Sequence, residues 1–240
     1  MPAGTSLRWF QTLPSTNAAA LNALDCPEGT VFAADCQESG RGRLGRSWHS
    51  PPGRNLYFSL VLYPRLCLSQ WGGFSLAAGV GLAEGIAKLG LCPELKWPND
   101  LLIRGRKLSG ILLEAKAEKL VVGIGVNVNQ REFPDYLVAA SLSQVADKIW
   151  RRDKLLPHFV EEVFRWCKLW EGGLHQRVLS SWQQYDVLIG NKVTACRGEE
   201  RIQGRAEAVG GQGELVVIGD NGIRHYFHSG EVTLDKGLRE

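Results

Sequence analysis

The feature that most constrains the fold is a stretch rich in glycine, proline and arginine at residues 38–54. It separates two apolar segments, residues 30–36 and 55–63, whose composition is typical of buried strands. Pro51 and Pro52 exclude a helix or a central strand here, while the glycines allow the backbone to approach a ligand closely. The stretch is therefore predicted to be a long loop between two strands.

The charge of this loop predicts an anionic ligand. Four arginines and one glutamate give residues 38–54 a net charge of +3, which equals the net charge of the whole chain. Guanidinium groups bind phosphate or carboxylate through paired hydrogen bonds, and the indole of Trp48 can stack on a base. A nucleotide suits these groups. The alternative is a solvated basic loop, but loops of this length inside a domain are usually functional or disordered.

Two common phosphate-binding motifs do not fit the loop. The run Gly40-Arg-Gly-Arg-Leu-Gly45 has the spacing G-x-G-x-x-G, but a dinucleotide fold needs its last glycine to open a helix. Here two prolines and a strand follow. No Gly-Lys-Ser/Thr ends the run, so it is not a P-loop either.

The remaining composition is that of a globular protein. With 240 residues and 44% hydrophobic residues, the chain can form one large domain or a large and a small one. It contains no apolar run of 18 residues and no basic-then-apolar N-terminal segment, so neither a membrane span nor a secretory signal is expected. Six scattered cysteines without C-x-x-C spacing predict reduced, mostly buried thiols of a cytoplasmic protein.

Apolar spacing predicts the other elements before residue 187. They are a strand at 7–13, a helix at 15–24, a helix at 69–89, strands at 95–104 and 107–116, a strand at 120–129, and helices at 153–172 and 176–185. The two strands at 95–104 and 107–116 form a predicted hairpin through Arg104-Gly105-Arg106. Five glycines weaken the helix at 69–89, so close packing against the sheet must hold it.

Two predicted strands carry polar or missing side chains beside the core. Lys107 is expected to share one face with Ser109, Ile111 and Leu113, which places an ammonium next to apolar groups. In the strand at 120–129, valine and isoleucine form one face, and the other carries Gly123, Gly125, Asn127 and Asn129. This second face predicts either a ligand groove or room for a packed helix.

From residue 187 the pattern changes to short strands separated by glycine. The predicted strands are 192–196, 201–209, 214–218, 224–228 and 231–234. Five short strands in so few residues indicate a small β-barrel. The predicted division is therefore a domain at 1–186 and a second at 187–240.

These motifs together resemble the biotin protein ligases, which attach biotin to a carboxylase carrier protein. The matching runs are Ser15-Thr-Asn17, Gln37 with Gly40-Arg-Gly-Arg-Leu-Gly-Arg-Ser-Trp48, Lys96-Trp-Pro-Asn-Asp100 with Arg106-Lys-Leu-Ser-Gly110, and Gly123-Ile-Gly-Val-Asn-Val-Asn129. The resemblance implies an α+β fold like that of class II aminoacyl-tRNA synthetases, a mixed β-sheet flanked by helices and followed by a small SH3-like β-barrel. No N-terminal helix-turn-helix is expected, because the catalytic domain begins near Leu7.

The resemblance also implies a two-step reaction. The biotin carboxylate attacks the α-phosphate of Mg-ATP to give biotinyl-5′-AMP and pyrophosphate. A lysine of the biotin carboxyl carrier protein of acetyl-CoA carboxylase then takes the acyl group and releases AMP. The implied ligands are biotin, ATP and Mg²⁺ held largely by phosphates, with no protein metal site, no nucleic acid and no membrane. The oligomeric state stays open, with a homodimer as one option.

Carried over by position, the resemblance gives roles to particular residues. Lys107, Arg43 and Asp100 would be catalytic. Biotin would contact Ser15, Thr16, Asn17, Gln37, Gly40, Arg41, Lys107 and Gly110. ATP would contact Arg41, Arg43, Trp48, Asn99 and Asn127. Capping alone would also explain Ser15, Thr16 and Asn17, since Ser15 is a natural N-cap.

Two other functions compete with this interpretation. A lipoate or octanoyl ligase would share the architecture and the adenylating chemistry, although the glycine-arginine loop and Lys96-Trp-Pro-Asn-Asp100 favour biotin. A nucleic-acid-binding module would use the basic loop and the terminal barrel. Such a binder should spread its basic residues along a face, whereas this chain confines the excess to one loop.

Overall fold

The larger part of the protein is a mixed seven-stranded sheet, seen in a computed structural model that describes residue 1 and residues 3–234. Its strands are β1 Ser6–Leu13, β2 Thr30–Gln37, β3 Leu56–Leu62, β4 Pro93–Lys96, β5 Asp100–Ile103, β6 Arg106–Lys116 and β7 Lys119–Val126. Their spatial order is β1-β2-β3-β7-β6-β5-β4. The pair β1–β2 is parallel and the other neighbours are antiparallel.

Helices cover both faces of this sheet. They are α1 Thr16–Asn22, α2 Gly73–Ala87, α3 Leu142–Ala146, α4 Arg152–Glu171 and α5 His175–Tyr185. The longer helices α2, α4 and α5 enclose the main core, which contains Trp166, Trp170 and Trp182. Helix α1 lies on the opposite face over a smaller cluster that includes Phe32 and Val121. Helix α3 was not predicted from the sequence, because only a capping box at its first turn indicates it.

The glycine-rich helix α2 packs against the sheet, as predicted, and more extensively against α4, which was not predicted. A Cβ on Gly81 would lie 2.7 Å from the Glu162 carbonyl oxygen and 2.7 Å from Val163 Cα. A Cβ on Gly73 would overlap the Trp170 indole at 1.8 Å. The missing side chains let the two helices approach closely, and this packing compensates for the low helix propensity of glycine.

The predicted strand at 95–104 is instead two strands, β4 and β5. They run antiparallel, with Lys96 opposite Asp100, and the chain reverses between them. Pro98 explains the break, because proline cannot donate a hydrogen bond to a continuing strand pair. The hairpin between β5 and β6 is confirmed, with positive φ at both Arg104 (51°) and Gly105 (68°), as a two-residue turn requires.

The second unit is a five-stranded antiparallel sheet. Its strands are β8 Lys192–Arg197, β9 Glu200–Val209, β10 Leu215–Gly219, β11 Arg224–Phe227 and β12 Glu231–Leu234. The spatial order is β11-β10-β9-β8-β12, so the five predicted strands are confirmed. Among the described residues β11 and β12 do not pair, so this sheet is not closed into a barrel.

The two sheets are in contact. Trp97 Nε1 donates a hydrogen bond to the Gly213 carbonyl oxygen at 2.9 Å, and the backbone of Gly213 packs against Leu76 at the start of α2. This packing brings β12 beside the end of β4. The second sheet can therefore contribute residues to a site on the first.

The prediction of mostly buried cysteines is wrong. All six thiols are free; two are buried, two are half-buried, and the exposed Cys67 and Cys92 lie in connecting segments outside the strands and α-helices. Of the helices described in residues 3–234, none combines the length and the apolar character needed to span a membrane.

Candidate active site

Residues 38–54 form the predicted loop, which folds back on itself. Arg41 pairs with Ser47 across the loop, and the Trp48 amide donates to the Gly40 carbonyl oxygen at 2.8 Å. A short 3-10 turn, Arg43–Gly45, forms the tip. This arrangement places the loop over one face of the first sheet, on the same side as α1.

A cavity of about 430 Å³ lies between the loop, the first sheet and β12. It is lined by every residue predicted for the site except Gly40, namely Ser15, Thr16, Asn17, Gln37, Arg41, Arg43, Trp48, Asn99, Asp100, Lys107, Gly110 and Asn127. Gly40 instead packs inside the loop, where a Cβ would lie 2.4 Å from the Trp48 carbonyl oxygen and 2.6 Å from Ser50 Oγ.

One end of the cavity is a buried polar cluster at the start of α1. Gln37 Oε1 accepts hydrogen bonds from the Thr16 amide at 2.8 Å and from Thr16 Oγ1 at 3.1 Å. Ser59 Oγ, fully buried in β3, lies 2.8 Å from Thr16 Oγ1. Ser15 caps α1 as predicted, through a long hydrogen bond from the Ala18 amide at 3.5 Å. Capping therefore accounts for Ser15, but not for the contacts of Thr16.

The amide of Asn17 is fully engaged within the protein. Its Oδ1 lies 2.5 Å from Ser59 Oγ, and its Nδ2 donates to the Leu112 carbonyl oxygen at 3.2 Å and to Glu114 Oε2 at 2.7 Å. A Cβ on Gly123 would lie 2.1 Å from Asn17 Oδ1, so this glycine makes room for the amide. Asn17 thus lines the cavity while fixing neighbouring groups.

The indole of Trp48 lies on the glycine face of the sheet. A Cβ on Gly125 would lie 2.3 Å from the indole Nε1, and one on Gly110 would lie 3.1 Å from the ring. Both predicted alternatives therefore apply to this face: Gly123 makes room for Asn17 of α1, and Gly123 and Gly125 also line the cavity. Trp48 Nε1 is buried and has no hydrogen-bond partner among the described residues.

Lys107 faces the cavity because of a β-bulge, which corrects the predicted strand faces. Against β5, Leu101 is opposite Ser109 and Leu102 is opposite Lys107, so Leu108 is an extra residue in β6. Such an insertion reverses the alternation of side chains. Lys107 consequently lies on the side of Gly110, where its Nζ is 3.6 Å from the position of a Cβ, and not on the side of Ser109.

The middle of the cavity concentrates charge. Lys107 Nζ lies 2.7 Å from Asp100 Oδ1 as an ion pair, although that oxygen accepts no well-aligned hydrogen bond from the described residues. Burial lowers the pKa of Lys96, and the positive charges of Lys107 and Arg46 lower it further, while Asp100 opposes them. Cations therefore outnumber carboxylates here, which favours an anionic ligand.

Arg43 joins the loop to the turn between β4 and β5 and to the residue before β12. Its Nη1 donates to Asn99 Oδ1 at 3.3 Å and to the Gly230 carbonyl oxygen at 3.2 Å, just before β12. Burial lowers the pKa of Arg43, and the nearby Asp100 opposes this shift. Arg46 forms a second link to β12 through an ion pair with Glu231.

A segment after β7 forms the remaining wall. Asn127 donates from Nδ2 to the Lys107 carbonyl oxygen at 3.3 Å, and the Lys107 amide donates to the Val138 carbonyl oxygen at 3.0 Å. The apolar residues Phe133, Leu137, Val138 and Ala139 also line the cavity. No helix or strand was predicted for this segment, because its sequence has neither helical nor strand periodicity.

Several other lining or supporting residues were missed from the sequence. Lys96 lies in a motif that carries the family resemblance, but no role was predicted for it, although a charged residue near the start of the predicted apolar strand at 95–104 is a usable signal. Ser59 could have been noticed as a hydroxyl inside a fully buried strand. Glu114 and the β12 residues 231–233 carry no local signal, since only the tertiary fold brings them to the cavity.

The site offers no ready-made metal centre. No group of three or more histidine, cysteine, aspartate or glutamate side chains suited to a metal occurs within residues 3–234. The two carboxylates that line the cavity, Asp100 and Glu231, are each paired with a cation. A magnesium ion would therefore have to bring most of its oxygen ligands with it, as phosphate-bound Mg²⁺ does.

Family models match both units of the chain. The model of the biotin/lipoate A/B protein ligase family matches residues 7–130. The model of the biotin protein ligase C-terminal domain matches residues 188–235.

Individual proteins and a solved structure that are similar to this chain also belong to the biotin protein ligases. The bifunctional ligase/repressor BirA of Bacillus subtilis is 35% identical over 239 residues, which cover 93% of this chain and 73% of the relative. The biotin--[acetyl-CoA-carboxylase] ligase of Paracoccus denitrificans is 31% identical, with 87% of this chain and 92% of the relative covered. The structure of the Aquifex aeolicus biotin protein ligase with biotin and ATP superposes with a TM-score of 0.83 at 31% identity, covering 96% of this chain and 99% of the other.

Proposed function

This chain belongs to the biotin/lipoate A/B protein ligase family and is a biotin protein ligase, and on that basis we propose how its residues divide the two-step reaction. The observation that carries the assignment is one cavity with two ends. The buried cluster at Thr16 and Gln37 suits an uncharged polar ring, and the cationic centre at Lys107 suits a carboxylate and phosphates.

The polar end would hold the ureido ring of biotin. Thr16 and Gln37 are fixed by mutual hydrogen bonds, and Ser59 supports Thr16 from below. Ser15 would add a hydroxyl, and Arg41 lies at the rim of this end. Asn17 would act by positioning its neighbours, because its amide is already satisfied.

In the first step, a biotin carboxylate oxygen attacks the α-phosphorus of ATP and the bond to pyrophosphate breaks. Lys107 would neutralise the carboxylate as it approaches and then the negative charge that grows on the phosphoryl oxygens. Arg43 would bind the same phosphate through donors that Asn99 and Gly230 leave free. Lys96 would add positive charge for the departing pyrophosphate.

In the second step, the amine of the carrier lysine attacks the acyl carbon of biotinyl-5′-AMP, and AMP leaves. Asp100 would accept the proton of this amine or orient it, because its Oδ1 lacks a well-aligned hydrogen bond. The carrier would be the biotin carboxyl carrier protein of acetyl-CoA carboxylase, as the name of the Paracoccus relative implies.

ATP would enter as its magnesium complex. The phosphates would supply most of the oxygen ligands, and Asn127 would contact the phosphates or the ion from the wall of the cavity. We also propose that the first domain comprises residues 1–186 and the second 187–240. Six free thiols suit the reducing cytoplasm as the place of the reaction.

The direct test is pyrophosphate release from ATP by the purified protein without any carrier. Biotin in one reaction and lipoate in another distinguish the two acid substrates. The expected result is release with biotin alone, limited to about one equivalent per enzyme because the adenylate stays bound. Release with lipoate alone would refute the choice of biotin, and release with neither would refute the adenylation chemistry.

A further inference from the structure

Glu114 connects the loop to the polar end of the cavity, although it does not line the cavity itself. Its Oε2 lies 3.0 Å from Arg41 Nη2 and accepts a hydrogen bond from Asn17 Nδ2 at 2.7 Å. Asn17 is joined in turn to Thr16 and Gln37 through Ser59. One carboxylate oxygen therefore ties an arginine of the loop to the cluster that begins at the root of the same loop.

We propose that Glu114 is a positioning residue that holds Arg41, and with it the loop, over an occupied polar end. The proposal rests on the function given above. Arg41 has five N–H donors and uses one nitrogen toward Glu114, so the others can bind the carboxyl or phosphoryl oxygens of the ligand. A ring bound at Thr16 and Gln37 would restrict the movement of the polar cluster. Through its contacts with Asn17 and Arg41, Glu114 would then restrict the movement of Arg41 as well.

The size of the effect follows from the exposure of the pair. The side chains of Arg41 and Glu114 are 42% and 24% exposed, so water partly screens their attraction. Glu114 also accepts a hydrogen bond from Asn17, which restricts its movement. Loss of the charge should therefore accelerate the release of biotinyl-5′-AMP by about threefold to tenfold.

The test compares Glu114→Gln with the unmodified enzyme. Glutamine keeps the length of the side chain and an oxygen for the Asn17 hydrogen bond, but it removes the charge that holds Arg41. Biotinyl-5′-AMP would be formed on each protein from labelled ATP, and its release would be followed after dilution into unlabelled ATP and biotin. The matched control is Glu118→Gln, an exposed carboxylate in the turn after β6, which should release the adenylate at the unmodified rate.

A double-mutant cycle separates this role from simple support of the fold. If Glu114 acts through Arg41, Glu114→Gln should add no further acceleration in an Arg41→Gln background. The difference between Glu114→Gln and the unmodified enzyme should also shrink in high salt, because salt screens the ion pair.

The possible failures have different meanings. Unmodified protein that forms no biotinyl-5′-AMP would refute the proposed function and this role together. Equal release rates from unmodified and Glu114→Gln proteins that both form the adenylate would overturn the role of Glu114 alone. Full additivity in the double mutant would also overturn it, by showing that Glu114 acts independently of Arg41.

Discussion

In the proposed mechanism, Lys107 is the side chain on which the first step depends most directly. Its replacement by alanine would remove the ammonium proposed to face both the carboxylate and the α-phosphate, so pyrophosphate release with biotin should fall at least about 100-fold. Biotin binding measured by calorimetry should weaken far less, because the proposed ring contacts at Thr16 and Gln37 would remain. A variant that releases pyrophosphate at the normal rate would exclude Lys107 from the chemistry.

The buried charge of Lys96 is expected to lower the stability of the fold while it supports the binding of ATP. The pKa of Lys96 in the folded protein lies below the ordinary lysine value, mainly because the side chain is buried. At neutral pH the ammonium is therefore less stable in the folded protein than in the unfolded chain, and this difference lowers the free energy of unfolding. Lys96→Met should therefore increase stability to urea at pH 7 and weaken ATP binding. This increase in the free energy of unfolding should diminish as the pH rises from the lowered pKa of Lys96 to the ordinary lysine pKa near 10.4, where the side chain is also deprotonated in the unfolded chain.

Urea unfolding of both proteins at pH 7 and pH 10 would measure this change. Lys192→Met, at an exposed position in β8, is the control for adding a methionine. A stability gain for Lys96→Met that is equal at both pH values would contradict the explanation by charge.

At the scale of elements, the sequence predicted nearly every strand and helix but not always their directions or faces. The alternation that defines a strand face fails at Leu108, because a bulge is determined by the partner strand and not by β6 alone. Pro98 was present in the sequence as a signal of a break, and its consequence was overlooked. The partner of the glycines in α2 could not be read locally, since Gly81 packs against a helix that begins about seventy residues later.

The candidate site was easier to predict than the packing. Twelve predicted residues meet in one cavity because their motifs lie at loop roots and strand ends, where side chains converge. Gly40 did not line it, because a glycine in a ligand-binding loop can serve the loop's own packing. Glu114 and β12 escaped prediction because neither carries a motif.

The glycine face of β7 yields a prediction of its own. Gly125→Ala would place a Cβ where the Trp48 indole now lies, so the indole must move away from the sheet. The loop would then close less well, and biotinyl-5′-AMP should be released about threefold to tenfold faster, while the fold stays intact because the clash meets a side chain on the cavity side. The total tryptophan emission of the ligand-free variant, from eight indoles including Trp48, should shift toward that of an exposed indole relative to the unmodified protein.

Gly211→Ala serves as the comparison, since nothing lies within 4 Å of its Cβ position. It should leave both the fluorescence and the release rate unchanged. Unaltered fluorescence in Gly125→Ala would show that the indole does not rest on this strand in solution.

At the scale of the whole molecule, Arg43 joins three parts of the protein. Its side chain links the loop tip to Asn99, in the turn between β4 and β5, and to the backbone before β12. Arg43→Gly should therefore leave adenylation working while the adenylate escapes, at least about tenfold faster than from the unmodified enzyme. The measurement is accumulation of free biotinyl-5′-AMP in solution, detected by its reaction with added amines, and adenylate retained at the unmodified rate would count against this role.

The contact between β12 and the loop would also affect when the enzyme can retain biotinyl-5′-AMP during its synthesis. Translation releases the chain from the N-terminus, so β12 emerges from the ribosome after every strand of the first sheet. A nascent chain whose first sheet has folded would possess Lys107 and the polar end but no partner for the loop tip. Secure storage of a reactive acyl donor would thus begin only after the second sheet has formed, and an unfinished chain that makes biotinyl-5′-AMP would release it.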